Sequence, residues 1–153
     1  MTEQRKVSRC EMTELVLPGD TNAHGTIFGG KVMQWIDIAA SVAAMRHSGG
    51  AVVTASIDAL QFLTPIHVGE VVTLRASVNF AGRTSMEVGV RVDAENMRTG
   101  EHRYTTKAYL TFVAVDEHGK PRPIPALVLE SDEDRRRHAD AQIRREHRLD
   151  RRP

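Results

Sequence analysis

The chain has 153 residues, 41% of them apolar and 27% charged, with a formal net charge of +1. This is the length of one domain with a substantial core, and the near-neutral balance excludes a general attraction to nucleic acid or anionic membrane. A single cysteine, Cys10, excludes an internal disulfide and fits a reducing cytosol; with a polar Met1 to Arg9 stretch and no apolar run of membrane-span length, the chain reads as cytoplasmic.

In chain order, Cys10 to Leu17 is a short first strand, broken by the turn chemistry of Pro18-Gly19-Asp20-Thr21-Asn22. Gly30 to Ser48 is a helix, stopped by Gly49-Gly50. Ala51 to Phe62 is a long strand rich in Val, Thr and Ile, ended by Thr64-Pro65. Val71 to Phe80 is the next, and Ala81-Gly82-Arg83-Thr84 is a hairpin loop. In the following stretch Met86, Val88, Val90 and Val92 alternate with Ser85, Glu87, Gly89, Arg91 and Asp93, which predicts a half-buried strand. Tyr104 to Val115 is the last long strand, stopped by Asp116 to Pro125. Consecutive strands joined by short polar turns pair antiparallel, so the expected architecture is α+β, with an antiparallel sheet wrapped around one long central helix.

That helix is apolar on nearly every side and should lie inside the protein, yet it carries a carboxylate, Asp37. Gln34, Met33, Ala40 and Ser41 hold the positions three and four residues away, so no basic partner sits on the helix itself. Burying an unpaired carboxylate is costly, which leaves two options: another segment supplies its partners, or a reaction uses it.

Residues 130–153 change composition and form a charged C-terminal helix and tail, separate from the domain at residues 1–129. Eight arginines are nearly cancelled by seven carboxylates, and no aromatic residue is interleaved for base stacking. Acidic residues lead and basic ones follow, as a helix dipole prefers, so a solvated helix is expected rather than a nucleic-acid arm.

Gly25-Thr26-Ile27-Phe28-Gly29-Gly30-Lys31-Val32 has phosphate-loop spacing, but Val32 replaces the magnesium-binding hydroxyl and no βαβ alternation follows. What survives is the physics: glycines at a helix start let backbone N–H groups approach a negatively charged group. No serine sits in a G-x-S-x-G turn, and the seven histidines show no metal-ligand spacing, so no metal is expected.

Asp20-Thr21-Asn22-Ala23-His24-Gly25-Thr26-Ile27-Phe28-Gly29-Gly30, then Met33-Gln34-Trp35-Ile36-Asp37, then Val53-Thr54-Ala55-Ser56-Ile57-Asp58 resemble the hotdog-fold acyl-CoA thioesterases of the YciA and brain acyl-CoA hydrolase type. The likeness runs from about Met12 to Pro125 and includes Gly82 to Glu87. It implies a hotdog fold, a homodimer as the minimal active unit, a trimer of dimers, and hydrolysis of acyl-CoA to a free acid and CoA. Coenzyme A is then part of substrate and product, with no separate cofactor and no nucleic-acid or membrane partner. The resemblance assigns Asp37 as general base or nucleophile, Asn22 as the catalytic asparagine, and Gly29 and Gly30 as donors to the thioester carbonyl. His24 is matched to a site-lining position, and Arg83, Thr84 and Ser85 to a segment near the CoA. A noncatalytic acyl-CoA sensor on the same fold is the alternative; its effector element could come only from the tail.

Helix geometry adds a separate constraint. Asp37 lies seven residues beyond Gly30, so the two are roughly 10 Å apart along one helix, too far for one carbonyl to touch both. Two such helices packed antiparallel about a twofold axis would bring Asp37 of one near the glycines of the other.

Overall fold

The computed structural model describes residues 3–58 and 60–151. The elements are β1 (Gln4–Lys6), β2 (Arg9–Leu15), a 3-10 turn (Pro18–Asp20), α1 (Gly29–Ser48), β3 (Val52–Asp58), β4 (Val71–Ala81), β5 (Ser85–Glu95), β6 (His102–Ala114), β7 (Ala126–Val128) and α2 (Asp132–Asp150). Five strands form one antiparallel sheet in the order β2-β4-β5-β6-β3, and β1 pairs parallel with β7 as a small second sheet.

The core is the contact between α1 and one face of the large sheet. Val32, Trp35, Ile36, Ala39, Ala40, Ala43 and Ala44 recur at three- and four-residue spacing and are buried. They meet alternate residues of the strands, among them Leu74 of β4, Val88 and Val90 of β5, and Leu110 and Phe112 of β6. The run of alanines keeps α1 close to the sheet. Gly49 ends the helix at φ +78°, and its amide donates to the Met45 carbonyl at 2.8 Å.

The sheet covers only one face of α1, which corrects the expectation of a helix enclosed on nearly every side. Within one protomer Met33, Ile38 and Met45 are 40%, 44% and 42% exposed, and Asp37 is only half-buried among them. The five strands bury one stripe of α1, and its opposite apolar face stays open.

Three further differences have local causes. The strand expected over Ala51 to Phe62 ends at Asp58; its register with β6 shifts between Thr54 and Ser56, and the pairing then runs only as far as Asp58 with Tyr109. Strands β1 and β7 are three residues each, too short for a periodic signal. Finally, α2 is not a solvated helix.

Its N-terminus is closed by a capping box in which Ser131 Oγ accepts the Asp134 amide at 3.0 Å and the Asp134 carboxylate accepts the Ser131 amide. From there α2 crosses the outer face of the sheet. Asp134 accepts from Arg9 of β2 at 2.9 Å, the His138 ring lies 5.4 Å from that of Phe80 in β4, and Ala141 is fully buried. Arg144 grips the buried Glu87 of β5 at 2.7 and 3.0 Å and stacks 3.6 Å above the Tyr109 ring of β6. Arg148 reaches Asp58 of β3 at 2.8 Å. One helix therefore ties all five strands together.

Candidate active site

The turn leading into α1 is built by its own polar side chains. Asn22 Oδ1 accepts the His24 amide at 2.9 Å, and its Nδ2 donates to Thr26 Oγ1 at 2.9 Å; the Asn22 amide donates to the Thr26 carbonyl at 2.9 Å. Gly25 turns the chain at φ +75°, a conformation that suits glycine. An amide nitrogen carries two hydrogens, so Asn22 Nδ2 keeps one for another acceptor. His24 stands exposed at the tip and contributes its backbone to this turn.

The chain then enters α1 through Phe28, which offers no side chain to cap the helix, and no acidic residue lies in the first turn. Lys31 and Val32 both direct their amides to the Phe28 carbonyl at 3.0 and 3.3 Å. The Gly29 and Gly30 amides come first in the helix and carry its partial positive charge. A Cβ on Gly30 would meet nothing within 4 Å, whereas one on Gly29 would lie 3.3 Å from the Phe62 ring. The space over Gly30 is open; the Phe62 ring flanks Gly29.

Two turns further on, Asp37 finds the partner that its own helix lacks. Thr54 Oγ1 of β3 donates to Asp37 Oδ1 at 2.7 Å. This bond fixes the carboxylate and leaves its second oxygen available for a proton or a nucleophilic role. Thr54 is a candidate site residue that sequence reasoning missed; a hydroxyl on a strand flanking an apolar helix with an unpaired carboxylate was the available signal.

The hairpin Arg83-Thr84-Ser85 sits at the other end of the sheet. The Thr84 carbonyl accepts from Ala114, the Arg83 carbonyl from Ile124, and the Arg83 side chain is exposed. Ser85 lines a cleft of about 430 Å³ with Ser56, Thr111, Arg145 and Arg148. The single protomer thus sorts the expected residues of the reacting centre into two groups, apart from the hairpin. Asn22, His24, Gly29 and Gly30 gather at the start of α1, while Asp37 joins Thr54 farther along it, and the hairpin lies beyond, near where α1 ends. The seven-residue separation along the helix holds Gly30 and Asp37 roughly 10 Å apart. Each group can do half of a hydrolysis: a held carboxylate on one side, carbonyl-polarising amides on the other.

Among the described residues no group of three or more His, Cys, Asp or Glu side chains could hold a metal ion, and no helix is long and apolar enough to cross a membrane.

A family model for the thioesterase superfamily matches residues 24–101, about half of the chain. The chain belongs to the thioesterase superfamily. The uncharacterized acyl-CoA thioester hydrolase YkhA of Bacillus subtilis is 46% identical over 129 residues, covering 84% of this chain and 75% of that protein. A hexameric acyl-CoA thioesterase, solved without ligand, superposes with a TM-score of 0.93 at 48% identity and covers 97% of both chains. An acyl-CoA hydrolase of Staphylococcus aureus, solved with butyryl coenzyme A and coenzyme A, superposes at 0.89 with 39% identity, covering 97% of this chain and 92% of its own. That hydrolase has also been solved with single alanine replacements of an asparagine, an aspartate fifteen residues later, and a threonine seventeen residues beyond that. Asn22, Asp37 and Thr54 have the same types and the same spacing.

Proposed function

We infer that the protein is an acyl-CoA thioesterase, hydrolysing the thioester of acyl-CoA to a free carboxylic acid and CoA, and we propose that its site is completed between two protomers. The observation that carries the shared site is the separation of Asp37 from the glycine amides on a straight helix whose Asp37 face is open and apolar. An antiparallel pair of α1 helices would cover Met33, Ile38 and Met45 and form two equivalent clefts. A trimer of such dimers fits the hexameric relative.

In each cleft the Gly29 and Gly30 amides of one protomer receive the thioester oxygen, with the free Asn22 Nδ2 hydrogen orienting water or carbonyl beside them. Asp37 of the other protomer, held by Thr54, takes a proton from water as it attacks the carbonyl carbon, or attacks that carbon directly. Either way the tetrahedral intermediate collapses by breaking the carbon–sulfur bond, and the CoA thiolate leaves to be protonated. Direct attack leaves an acyl anhydride on Asp37, which water then hydrolyses to the free acid and the carboxylate. Single turnover in ¹⁸O-water reads the routes: a general base puts the label in the acid product, whereas label in Asp37 requires an anhydride opened by water at the Asp37 carboxyl carbon.

His24 lines the entrance, and Arg83, Thr84 and Ser85 contact the CoA portion. Metal and cofactor play no part, and coenzyme A enters only as part of the substrate. A cytoplasmic location suits a lone buried free thiol, Cys10. The sensor alternative has less support, because α2 is held to the sheet by Asp134, Arg144 and Arg148 instead of standing free as an effector. Free thiol release from a panel of acyl-CoAs tests the assignment; substrate binding without thiol release would favour the sensor.

A further inference from the structure

The Asn22 turn has an outer wall, and that wall is anchored from β6. Gly25 to Ile27 is bonded to Asn22 on one side and to residues 66–68 on the other. The Ile27 amide donates to the Ile66 carbonyl at 2.7 Å, the Val68 amide to the Gly25 carbonyl at 2.9 Å, and Thr26 bridges His67. This wall belongs to the connection between β3 and β4, which holds no helix or strand among its described residues. Arg103 of β6 clamps it. Its Nη1 donates to Glu70 Oε2 at 2.5 Å, while its Nη2 donates to Glu70 Oε1 at 2.7 Å and to the Pro65 carbonyl at 2.6 Å. Glu70 Oε1 also accepts the His67 amide at 2.6 Å. One guanidinium therefore holds both ends of the 65–70 turn in a fork of charge-assisted bonds.

Glu70 is only 5% exposed. The Arg103 hydrogen bond holds its carboxyl below the ordinary carboxylate range despite burial. A buried ion pair of this kind adds little net stability over apolar replacements of similar size, but its directional bonds fix where the backbone lies.

We propose that Arg103 and Glu70 are a positioning pair for Asn22, setting through His67, Ile66 and Val68 the placement of the turn that presents its amide to the reacting carbonyl. The inference rests on the Asn22 role assigned above. Asn22 is bonded only to its own turn, so its aim follows the turn's, and a displacement of about 1 Å can cost on the order of 100-fold in rate.

The test is a double-mutant comparison of Glu70→Gln and Asn22→Ala, read as kcat and as CoA affinity. Glu70→Gln alone should lower kcat roughly 10- to 100-fold, leave CoA binding unchanged and speed hydrogen exchange at the Ile27 and Val68 amides. In the Asn22→Ala background it should lower kcat no further, because the residue through which it acts is gone. The same fold-loss in both backgrounds, or a Glu70→Gln enzyme with undiminished kcat, would overturn the positioning role while leaving Asn22 in place. An Asn22→Ala enzyme with undiminished kcat would remove Asn22 from the mechanism, and the pair's route to catalysis with it. Arg103→Lys, which keeps the charge but cannot span Pro65 and both Glu70 oxygens, gives the same comparison if Glu70→Gln does not fold.

Discussion

Helices α1 and α2 are nearly equal in length, 20 and 19 residues, and pack on opposite faces of one sheet by opposite means. α1 is seated by shape: alanines bring its backbone against valines and leucines, and no ion pair is needed. α2 is seated by charge: apart from Ala141 its anchors are Asp134, Arg144 and Arg148, each matched to a group on a different strand. The free faces differ as well. That of α2 is mostly charged, with Ile143 and Leu149 among its exposed residues, whereas that of α1 is apolar and carries Asp37. The contrast separates a helix that closes off one side of the sheet from a helix whose outer face stays open and apolar.

The largest expected effect bears on the free face of α1. Asp37→Asn keeps the volume but cannot act as base or nucleophile, and should lower turnover by on the order of 10² to 10⁴. Its melting temperature should stay close to wild type, because the residue is outside the core. A variant with wild-type thiol release would remove Asp37 from the chemistry.

The seat of α2 comes next. Arg144→Met should destabilise the fold by about 1–3 kcal/mol, since Glu87, buried in the sheet, loses its bidentate partner and keeps only Arg148 and Asn79, each at 3.3 Å. Denaturant titration measures this, and the double replacement Arg144→Met with Glu87→Met should recover much of the loss. On the water-facing side of the same helix, Arg136→Ala should change stability by no more than about 0.5 kcal/mol. Equal losses at Arg144 and Arg136 would show that charge does not seat α2.

Thr54→Val removes the hydroxyl that holds Asp37 and keeps the shape of the strand. Turnover should fall, by less than for Asp37→Asn, with CoA affinity preserved; an unchanged kcat would make that bond incidental.

A smaller effect sets the seat of α1 against pH. His47, buried near the end of α1, bonds to the Pro125 carbonyl at 2.9 Å, and burial lowers its pKa from the ordinary value of 6.5. The unfolded chain therefore takes up this proton first. The contribution is present above pH 6.5, is lost as pH falls from there towards the lowered value, and levels off below it. His47→Gln should flatten that part of the stability profile; an unaltered slope would place its origin elsewhere.

Much of this was legible because the long elements carry period. Val88, Val90 and Val92 marked β5, and Gly49 marked the end of α1. The unpaired Asp37 stood out against its apolar neighbours, and the Asn22 to Gly30 segment identified the family. Three-residue β1 and β7 carry no comparable pattern. Thr54 could not be joined to Asp37 without knowing that β3 lies alongside α1. The docking of α2 was hidden for a different reason: arginines that grip Glu87 and Asp58 look in sequence like arginines in water, and only tertiary placement separates them.

The shared cleft is tested most directly by complementation. Asn22→Ala and Asp37→Ala proteins, each with sharply reduced turnover, are dissociated, mixed and reassembled, and chain exchange is verified by mass. Each mixed dimer then has one cleft with both groups intact and one with both defects, so thiol release should recover to roughly a quarter of wild type for random exchange and independent clefts. A verified mixture that stays as inactive as its components would place Asn22 and Asp37 in the same site of a single protomer and contradict the account.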